Sequence, residues 1–388
     1  MYQTATAPAA MMRIRRGPRG MRRQRSGGLT LPTRVADVPI GSSTVTTLSA
    51  ASPIEPASTP VGRRTVDLRD ESRDGRNVLI DVWYPAHAGP QPLTSYEPIP
   101  GVRFESANAH ERADIIPGLY PLILMSHGRT GMRFAYSLLC EALAARGAIV
   151  VAPDHAGDVM ADWLGGTFAD DRTNEVNRVG DSHFVLDTLL DGQVGDDLAA
   201  VASAIDATRI ASIGHSYGAY TALAAAAGAR GVPPDSRIGA VVGLQPYTRS
   251  MSDAALSRVN TPTLLILSEF DATAPIATDG DRPWKLISAQ PVWRLDLHGA
   301  AHHASSDMGL YLELAGFLPD LPPMVQAYVA MMTSEMVGAQ FRPWRDGLAV
   351  QLRTIWAFLD IVLRMDRDRG EAEFAALAAS PRVMLSRR

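Results

Sequence analysis

Short apolar runs that alternate with helical segments constrain the fold of this chain more than any other feature of its sequence. Strands are predicted at 121–125, 148–152, 209–213, 238–244, 263–267 and 292–297. Helical patterns are predicted at 134–146, 181–206, 219–227 and 348–363, with a polar loop over 154–180. Continuous apolar runs of this kind are typical of strands that are buried on both faces of a parallel sheet. The alternation therefore predicts an α/β fold in which helices cover both faces of a mostly parallel sheet.

An antiparallel hairpin is predicted ahead of this region. Residues 64–68 alternate between polar and apolar side chains, and residues 78–84 form a second, more apolar run. Asp74 and Gly75 lie between them, and an Asp-Gly pair is a strong turn signal. The two runs are therefore expected to pair as neighbouring strands.

The first 60 residues differ in composition from the rest of the chain. Residues 1–36 contain eight arginines and no acid, so this part carries about +8 and the remainder about −12 of the net charge of −4. Prolines interrupt residues 1–60, which show neither helical nor strand periodicity. They are predicted to form a disordered tail, and 61–388 a single catalytic domain. No apolar core follows the basic residues, as a signal peptide requires, so a cytoplasmic location is expected.

Composition excludes several classes of site and partner. Cys140 is the only cysteine, which rules out an intramolecular disulfide and a zinc site built from thiolates. No uncharged apolar run reaches the ~18 residues of a membrane span. The acidic body of the chain argues against a nucleic-acid partner.

The most specific motif is Gly214-His215-Ser216-Tyr217-Gly218, which directly follows a predicted strand and precedes a predicted helix. This Gly-x-Ser-x-Gly pattern is typical of a nucleophile elbow, a strained turn that lifts a serine hydroxyl above a sheet at a helix N-terminus. Glycine is needed at both ends because the two backbones approach closely. Ser216 is therefore the predicted nucleophile.

An elbow serine needs a base and an orienting acid, in the chain order serine, acid, histidine. Asp271 lies just past the end of the strand at 263–267, and Glu269 is a rival acid nearer to that strand. His298, His302 and His303 follow the next strand and are candidates for the base. The spacing of these residues satisfies the logic of a catalytic triad.

An oxyanion hole is expected from two backbone amides. One is the amide of Tyr217, which follows the nucleophile, and the other is assigned to Arg129 in the loop after the strand at 121–125. His127 in the same loop is expected to brace it, and Cys140 to be a core residue. His155 and Asp158 follow another strand, where they either line the pocket or stabilise the loop.

With these residues, the chain resembles the α/β-hydrolases, and within them serine esterases of the platelet-activating-factor acetylhydrolase and dienelactone-hydrolase-like branch. The matching segments are 81–85, 125–128, 152–155, 184–187, 214–218 and 299–302. The resemblance implies an eight-stranded type of sheet, no metal and no organic cofactor. It implies a triad of Ser216, Asp271 and His302, and favours His302 over His303.

The chain departs from this branch at two positions that bear on the site. Acetylhydrolases of this type carry the acid after the sixth strand, where this chain has Gln245, so the acid moves to Asp271. A charged Arg129 beside the oxyanion loop favours a substrate that carries a carboxylate. His155, Gln245 and His303 are expected to line the substrate pocket.

Residues 309–345 are predicted to be a helical insertion after the histidine. Met and Tyr side chains recur in it at helical spacing, at positions 324, 328, 331, 332 and 336. They predict either a helix packed on the core or a lid over the acyl chain, because flexible methionine surfaces suit varied ligands.

The predicted function is hydrolysis of a small carboxylic ester through an acyl-serine intermediate. Hydrolysis of polyesters, lipids or amides by the same triad remains open, since sequence does not define the shape of the pocket. A non-catalytic ligand-binding protein with the same fold is the alternative from another class. The complete Ser/Asp/His set argues against that alternative.

Overall fold

A computed structural model describes residues 59–99, 102–316, 321 and 323–388 of the chain. The predicted tail falls almost wholly outside these residues, and its disorder stays a prediction. The first strand of the described residues begins at Val61, where the sequence pattern changes.

Eleven strands of the described region form one sheet. They are β1 (Val61–Asp70), β2 (Arg76–Pro85), β3 (Leu93–Ile99), β4 (Val102–Glu111), β5 (Tyr120–Ser126), β6 (Ile149–Pro153), β7 (Ile205–His215), β8 (Ala240–Leu244), β9 (Thr263–Ser268), β10 (Val292–Leu297) and β11 (Val383–Arg387). Their order across the sheet is β11-β10-β9-β8-β7-β5-β6-β2-β1-β4-β3. The six strands from β10 to β6 in that order are parallel, so their carboxyl ends meet at one edge.

This sheet is the mostly parallel sheet that the alternation predicts. The predicted hairpin is also confirmed, since β1 and β2 pair antiparallel from Val61 opposite Pro85 to Asp70 opposite Arg76. The sheet is wider than the eight-stranded type, because β3 and β4 extend one edge and β11 covers the other. These three outer strands carry many polar side chains, so they lack the apolar runs that identify the central strands.

Helices connect the strands and follow the last of the parallel ones. They are α1 (Ser137–Ala145), α2 (Met160–Gly165), α3 (Asp171–Leu190), α4 (Asp196–Ser203), α5 (Tyr217–Ala227), α6 (Asp253–Ser257), α7 (Asp281–Leu286), α8 (Met308–Ala315), α9 (Pro323–Met336), α10 (Trp344–Val362) and α11 (Arg367–Ala378). None of the described helices combines the length and the apolar character needed to cross a bilayer.

The polar loop predicted over 154–180 is wrong in two segments, because helix α2 and the beginning of helix α3 lie within it. Helix α3 begins at Asp171, and the side chain of Asp170 caps it by accepting a hydrogen bond of 3.0 Å from the amide of Thr173. Before residue 181 the helix buries mainly polar side chains, among them Asn174 and Glu175, so this part lacks the apolar periodicity from which a helix is predicted.

Two apolar cores lie on opposite faces of the sheet. One contains Ile213 of β7, Leu139 of α1 and Phe358 of α10. The other contains Leu124 of β5 and Leu223 of α5. Successive side chains of the central strands point to opposite faces, so each strand contributes to both cores. The elbow follows β7 and therefore lies at the edge of the sheet between the two cores.

The predicted insertion over 309–345 contains most of α8 and all of α9. Met332 is buried, whereas Tyr328 and Met331 of the same helix are 37% and 48% exposed. The side chain of Met324 lies outside the described region. One side of α9 thus packs inward as a core helix would, and a lid role for the insertion stays a prediction.

Candidate active site

The elbow is a tight turn between the end of β7 and the start of α5. Ser216 has a φ of 54° and a ψ of −119°, a backbone conformation that residues other than glycine rarely adopt. A Cβ on Gly214 would lie 2.0 Å from the carbonyl oxygen of Gly218, and a Cβ on Gly218 would lie 2.0 Å from that of Ser126. Both glycines are therefore required by close backbone contacts, as the motif predicts.

Ser216, His302 and Asp271 form a continuous chain of hydrogen bonds. Ser216 Oγ lies 2.9 Å from His302 Nε2, and His302 Nδ1 lies 2.8 Å from Asp271 Oδ2. The carboxylate can only accept, so Nδ1 carries the hydrogen and Nε2 accepts from the Ser216 hydroxyl. The structure thus brings together the three residues that the sequence predicts as a triad.

The loop after β9 holds Asp271 in place. Its second oxygen, Oδ1, accepts a hydrogen bond of 2.7 Å from the amide of Ala274. The rival acid, Glu269, accepts instead from the amide of Gly299 at 2.9 Å and lies 3.7 Å from His298. Glu269 and His298 are about half exposed and pair with each other, which leaves Asp271 as the acid beside His302.

The oxyanion loop turns directly above the elbow. The amide of Gly131 donates to the carbonyl oxygen of Gly128 at 3.1 Å, which places Arg129 inside a tight turn. This turn, residues 128–131, is called the oxyanion turn. A Cβ on Gly128 would lie 3.4 Å from the Cβ of Ser216, so this turn contacts the nucleophile. Tyr217 is the first residue of α5, and the amide of a first residue has no acceptor within its own helix. Both predicted donor positions therefore border Ser216.

The side chain of Arg129 is held beside the oxyanion turn. Its guanidinium pairs with Asp171 at 2.8 Å and stacks 4.4 Å from the ring centre of Tyr217. The Asp171 carboxylate already balances this positive charge, so the pairing weakens the expectation that Arg129 selects a substrate carboxylate.

Sequence reasoning missed Arg178, a fully buried residue of α3 behind the oxyanion loop. It pairs with Asp158 at 2.8 Å, donates to Thr221 Oγ1 at 3.0 Å and donates to the carbonyl oxygen of His127. It therefore ties the loop after β6, helix α5 and the oxyanion loop together. Its position gives no sequence signal of this role, because the polar pattern around it predicts a loop.

The structure does not place His155 at an open pocket, and this prediction is wrong. The ring is completely buried, with Nδ1 3.1 Å from Asp181 and Nε2 3.3 Å from Ser126 Oγ. Burial, and after it the charge of Arg178, lower the pKa of His155 to about 4, so the ring is neutral at pH 7. The alternative role, stabilising the loop, agrees with these contacts.

Gln245 is also a buried structural residue, so the prediction that it lines the pocket is wrong. Its side chain is 1% exposed and contacts Ser305 and Gln351, which link the loop after β8 to the histidine loop and to α10. His303 differs, because it is partly exposed and its ring lies 5.3 Å from that of His302. Of the three predicted pocket residues, only His303 borders the triad at the surface.

His127 and Cys140 agree with their predicted structural roles. His127 Nδ1 lies 2.7 Å from the carbonyl oxygen of Gly128, and Nε2 accepts from the amide of His155 at 3.1 Å. Burial lowers the pKa of His127 well below its ordinary value. Cys140 is buried in the apolar core of α1. Neither residue is part of the hydrogen-bonded triad.

A solved structure shares the fold of this chain. A ferulic acid esterase from Streptomyces cinnamoneus superimposes with a TM-score of 0.64 at 23% identity, over 79% of this chain and 91% of that one. The chain therefore has the α/β-hydrolase fold. Residues 113–276 also match the family model described as Chlorophyllase.

Curated relatives match this chain at lower coverage. Cutinase 2 of Thermobifida cellulosilytica is 29% identical over 187 residues, 48% of this chain and 61% of the cutinase. Cutinase cut1 of Thermobifida fusca is 29% identical over 187 residues and matches over 50% of its own length. Platelet-activating factor acetylhydrolase of Cavia porcellus is 23% identical over 245 residues, 55% of this chain and 54% of the relative. The chain thus spans about half to three-fifths of the length of these relatives.

Proposed function

We propose that this protein hydrolyses carboxylic esters through an acyl-Ser216 intermediate. The observation that carries the proposal is the unbroken hydrogen-bonded chain from Ser216 through His302 to Asp271 at a nucleophile elbow. The names of the similar proteins support the reaction class, since they include cutinases, an acetylhydrolase and a ferulic acid esterase.

Acylation begins with attack of Ser216 Oγ on the ester carbonyl carbon. His302 Nε2 accepts the hydroxyl proton as the new carbon–oxygen bond forms, and Asp271 stabilises the resulting imidazolium. The amides of Arg129 and Tyr217 donate to the oxyanion of the tetrahedral intermediate. When the intermediate collapses, His302 returns the proton to the leaving alkoxide, and the alcohol departs.

Deacylation repeats these steps with water as the nucleophile. His302 removes a proton from water, which attacks the acyl carbon and forms a second tetrahedral oxyanion held by the same amides. Collapse releases the carboxylic acid, and His302 returns the proton to Ser216 Oγ. The residues end in their starting protonation states, so the site needs no added cofactor for this cycle.

The substrate class that we propose is an ester without a charged acyl group. The pairing of Arg129 with Asp171 leaves no unbalanced arginine charge beside the oxyanion turn to favour an acidic ester. The names of the relatives point to different ester-containing substrates, so a panel of esters, polyesters and amides at equal concentration would rank them.

The test compares wild-type protein with Ser216→Ala on a short-chain nitrophenyl ester. We expect turnover to fall to background and labelling by a serine-directed fluorophosphonate to disappear in this variant. Ser212→Ala is the matched control, because Ser212 is buried on β7, the strand that leads into the elbow, and lies outside the triad. Wild-type turnover in Ser216→Ala would overturn the mechanism, and a folded wild type that is not labelled would favour the ligand-binding alternative.

A further inference from the structure

A chain of three hydrogen bonds connects the oxyanion turn to the triad histidine without using any group of the proposed reaction. The amide of Gly128 donates to the hydroxyl oxygen of Tyr136 at 3.2 Å. The Tyr136 hydroxyl lies 2.7 Å from His215 Nδ1, and His215 Nε2 lies 2.7 Å from the carbonyl oxygen of His302. This series of hydrogen bonds therefore joins the two loops that must act on the same substrate carbonyl.

The direction of every hydrogen bond in this chain is determined. The His302 carbonyl oxygen can only accept, so His215 Nε2 must carry a hydrogen. Burial lowers the pKa of His215 well below its ordinary value, and the neighbouring His302 and His303 lower it further, so the ring is neutral. Its Nδ1 therefore accepts from Tyr136, whose own pKa is raised by burial. Reversing any one bond would leave a buried polar atom unpaired, which is costly.

Packing keeps these groups in contact. Tyr136 and His215 are 3% and 1% exposed, and their ring centres are 5.4 Å apart. The ring of His215 lies 4.8 Å from that of His302. On the other side, a Cβ on Gly128 would lie 3.2 Å from His215 Nδ1. His215 is thus enclosed between the oxyanion turn and the base.

We propose that Tyr136 and His215 are positioning residues that fix the separation between the oxyanion turn and the main chain of His302. The residue preceding the nucleophile in the elbow would then orient the base through its backbone. The amide of Gly128 is engaged by Tyr136, so the turn presents its next amide, that of Arg129, as the oxyanion donor.

A neutral His215 has a second consequence for the proposed reaction. When His302 takes the serine proton, a positive charge forms 4.8 Å from the centre of the His215 ring. A charged neighbour at that distance would oppose proton transfer, whereas a neutral ring does not. The reaction step itself rests on the proposed function, but the contacts do not.

The test uses one nearly isosteric variant and one pair of variants at His215. Tyr136→Phe keeps the ring and removes the hydroxyl, so kcat is expected to fall about tenfold with little change in KM. His215→Phe removes the donor to His302 and should lower kcat at least as much. His215→Gln offers an amide donor near the position of Nε2 and should recover most of the loss.

Non-additivity is the signature of a shared role. Adding Tyr136→Phe to His215→Phe should lower kcat little further than His215→Phe alone, because His215→Phe already breaks the series of hydrogen bonds. Tyr120→Phe is the matched control. The Tyr120 hydroxyl lies outside this network and donates to the Ile116 carbonyl oxygen at 2.9 Å. The control should keep the wild-type kcat.

Rates of fluorophosphonate labelling separate this proposal from the esterase proposal. Labelling needs a reactive Ser216 but no particular ester, and the variants at Tyr136 and His215 should slow it by the same factor as kcat. A wild type that is labelled but hydrolyses no ester would overturn the esterase proposal and leave the positioning role testable. Wild-type kcat and labelling in folded Tyr136→Phe, or losses that simply add, would overturn the positioning role, and a wild type with neither reaction would overturn both.

Discussion

The contact between Asp271 and His302 decides which nitrogen of the imidazole is available to Ser216. Asp271 Oδ2 accepts a hydrogen bond of 2.8 Å from His302 Nδ1. His302 Nε2 is therefore free to accept from the Ser216 hydroxyl, 2.9 Å away. A change that alters this single acceptor would change the tautomer without moving the ring. The role of Asp271 can therefore be tested by an isosteric substitution.

Asp271→Asn should lower kcat by about 10³- to 10⁴-fold with a small effect on KM, because an amide donating to Nδ1 stabilises the wrong tautomer. Steady-state kinetics on a nitrophenyl ester measure this. Glu269→Gln is the matched control and should stay near wild type, since Glu269 pairs with Gly299 and His298. A larger loss in Glu269→Gln than in Asp271→Asn would assign the acid to Glu269.

Among the arginines of α3, Arg178 is the one whose removal should lower the free energy of unfolding most. Arg178→Met leaves Asp158 as a buried, uncompensated charge, so we expect the free energy of unfolding to fall by about 3–5 kcal/mol. Urea denaturation measures the change, and adding Asp158→Asn should restore part of it. Arg387→Met, which breaks the half-exposed pair with Glu371, should cost less than about 1 kcal/mol. Equal losses in the two arginine variants would contradict the bridging role.

At the scale of elements, the central strands and the elbow could be predicted because their chemistry is local. Continuous apolar runs mark β5 to β10, and the glycines of the elbow mark the turn that follows β7. The triad could be predicted as well, since each member follows a strand whose carboxyl end reaches the same edge of the sheet.

The missed features depend on tertiary contacts. The first half of helix α3, up to residue 180, buries Asn174, Glu175 and the Arg178–Asp158 ion pair, so its sequence resembles a polar loop. His155 and Gln245 follow strand ends, which suggests a pocket, but each is covered by partners distant in sequence. The Tyr136–His215 chain joins residues 79 positions apart, and no local pattern indicates such a contact.

The elbow turn itself should not tolerate a side chain at Gly218. Gly218→Ala would place a Cβ 2.0 Å from the carbonyl oxygen of Ser126, so β5 or α5 must shift. We expect a loss of about 1–3 kcal/mol or more in the free energy of unfolding and a large fall in turnover. Gly195→Ala is the control, because a Cβ on Gly195 would meet no atom within 4 Å. Thermal denaturation and ester turnover in which both variants match wild type would contradict this close contact.

At the scale of the whole molecule, buried neutral histidines make the fold sensitive to acid. His155 has a pKa of about 4 in the folded state against an ordinary value of 6.5, so the unfolded chain binds the proton first. The stability from this group is complete above pH 6.5 and is lost as the pH falls through 4. Burial lowers the pKa of His127 and His215 as well, and their contributions have the same sign.

Asp307 acts in the opposite direction, because burial raises its pKa from 3.8 to about 7 and its contribution is lost as the pH rises through that range. A comparison of variants isolates the contribution of His155. Between about pH 6.5 and about pH 4, wild type should lose about 3 kcal/mol more stability than His155→Asn, which keeps a donor for Asp181. Urea denaturation across this range measures the difference, and parallel pH profiles for the two proteins would show that His155 does not carry it.

The proposed reaction requires that Ser216 is acylated during turnover. The most direct measurement mixes wild-type protein with a hindered trimethylacetyl nitrophenyl ester, whose acyl-enzyme deacylates slowly, and quenches the reaction in acid. We expect a burst of one nitrophenol per protein molecule and a trimethylacetyl group on the peptide that contains Ser216. An acyl group that maps to another residue, or steady turnover without any serine adduct, would show that Ser216 is not the nucleophile.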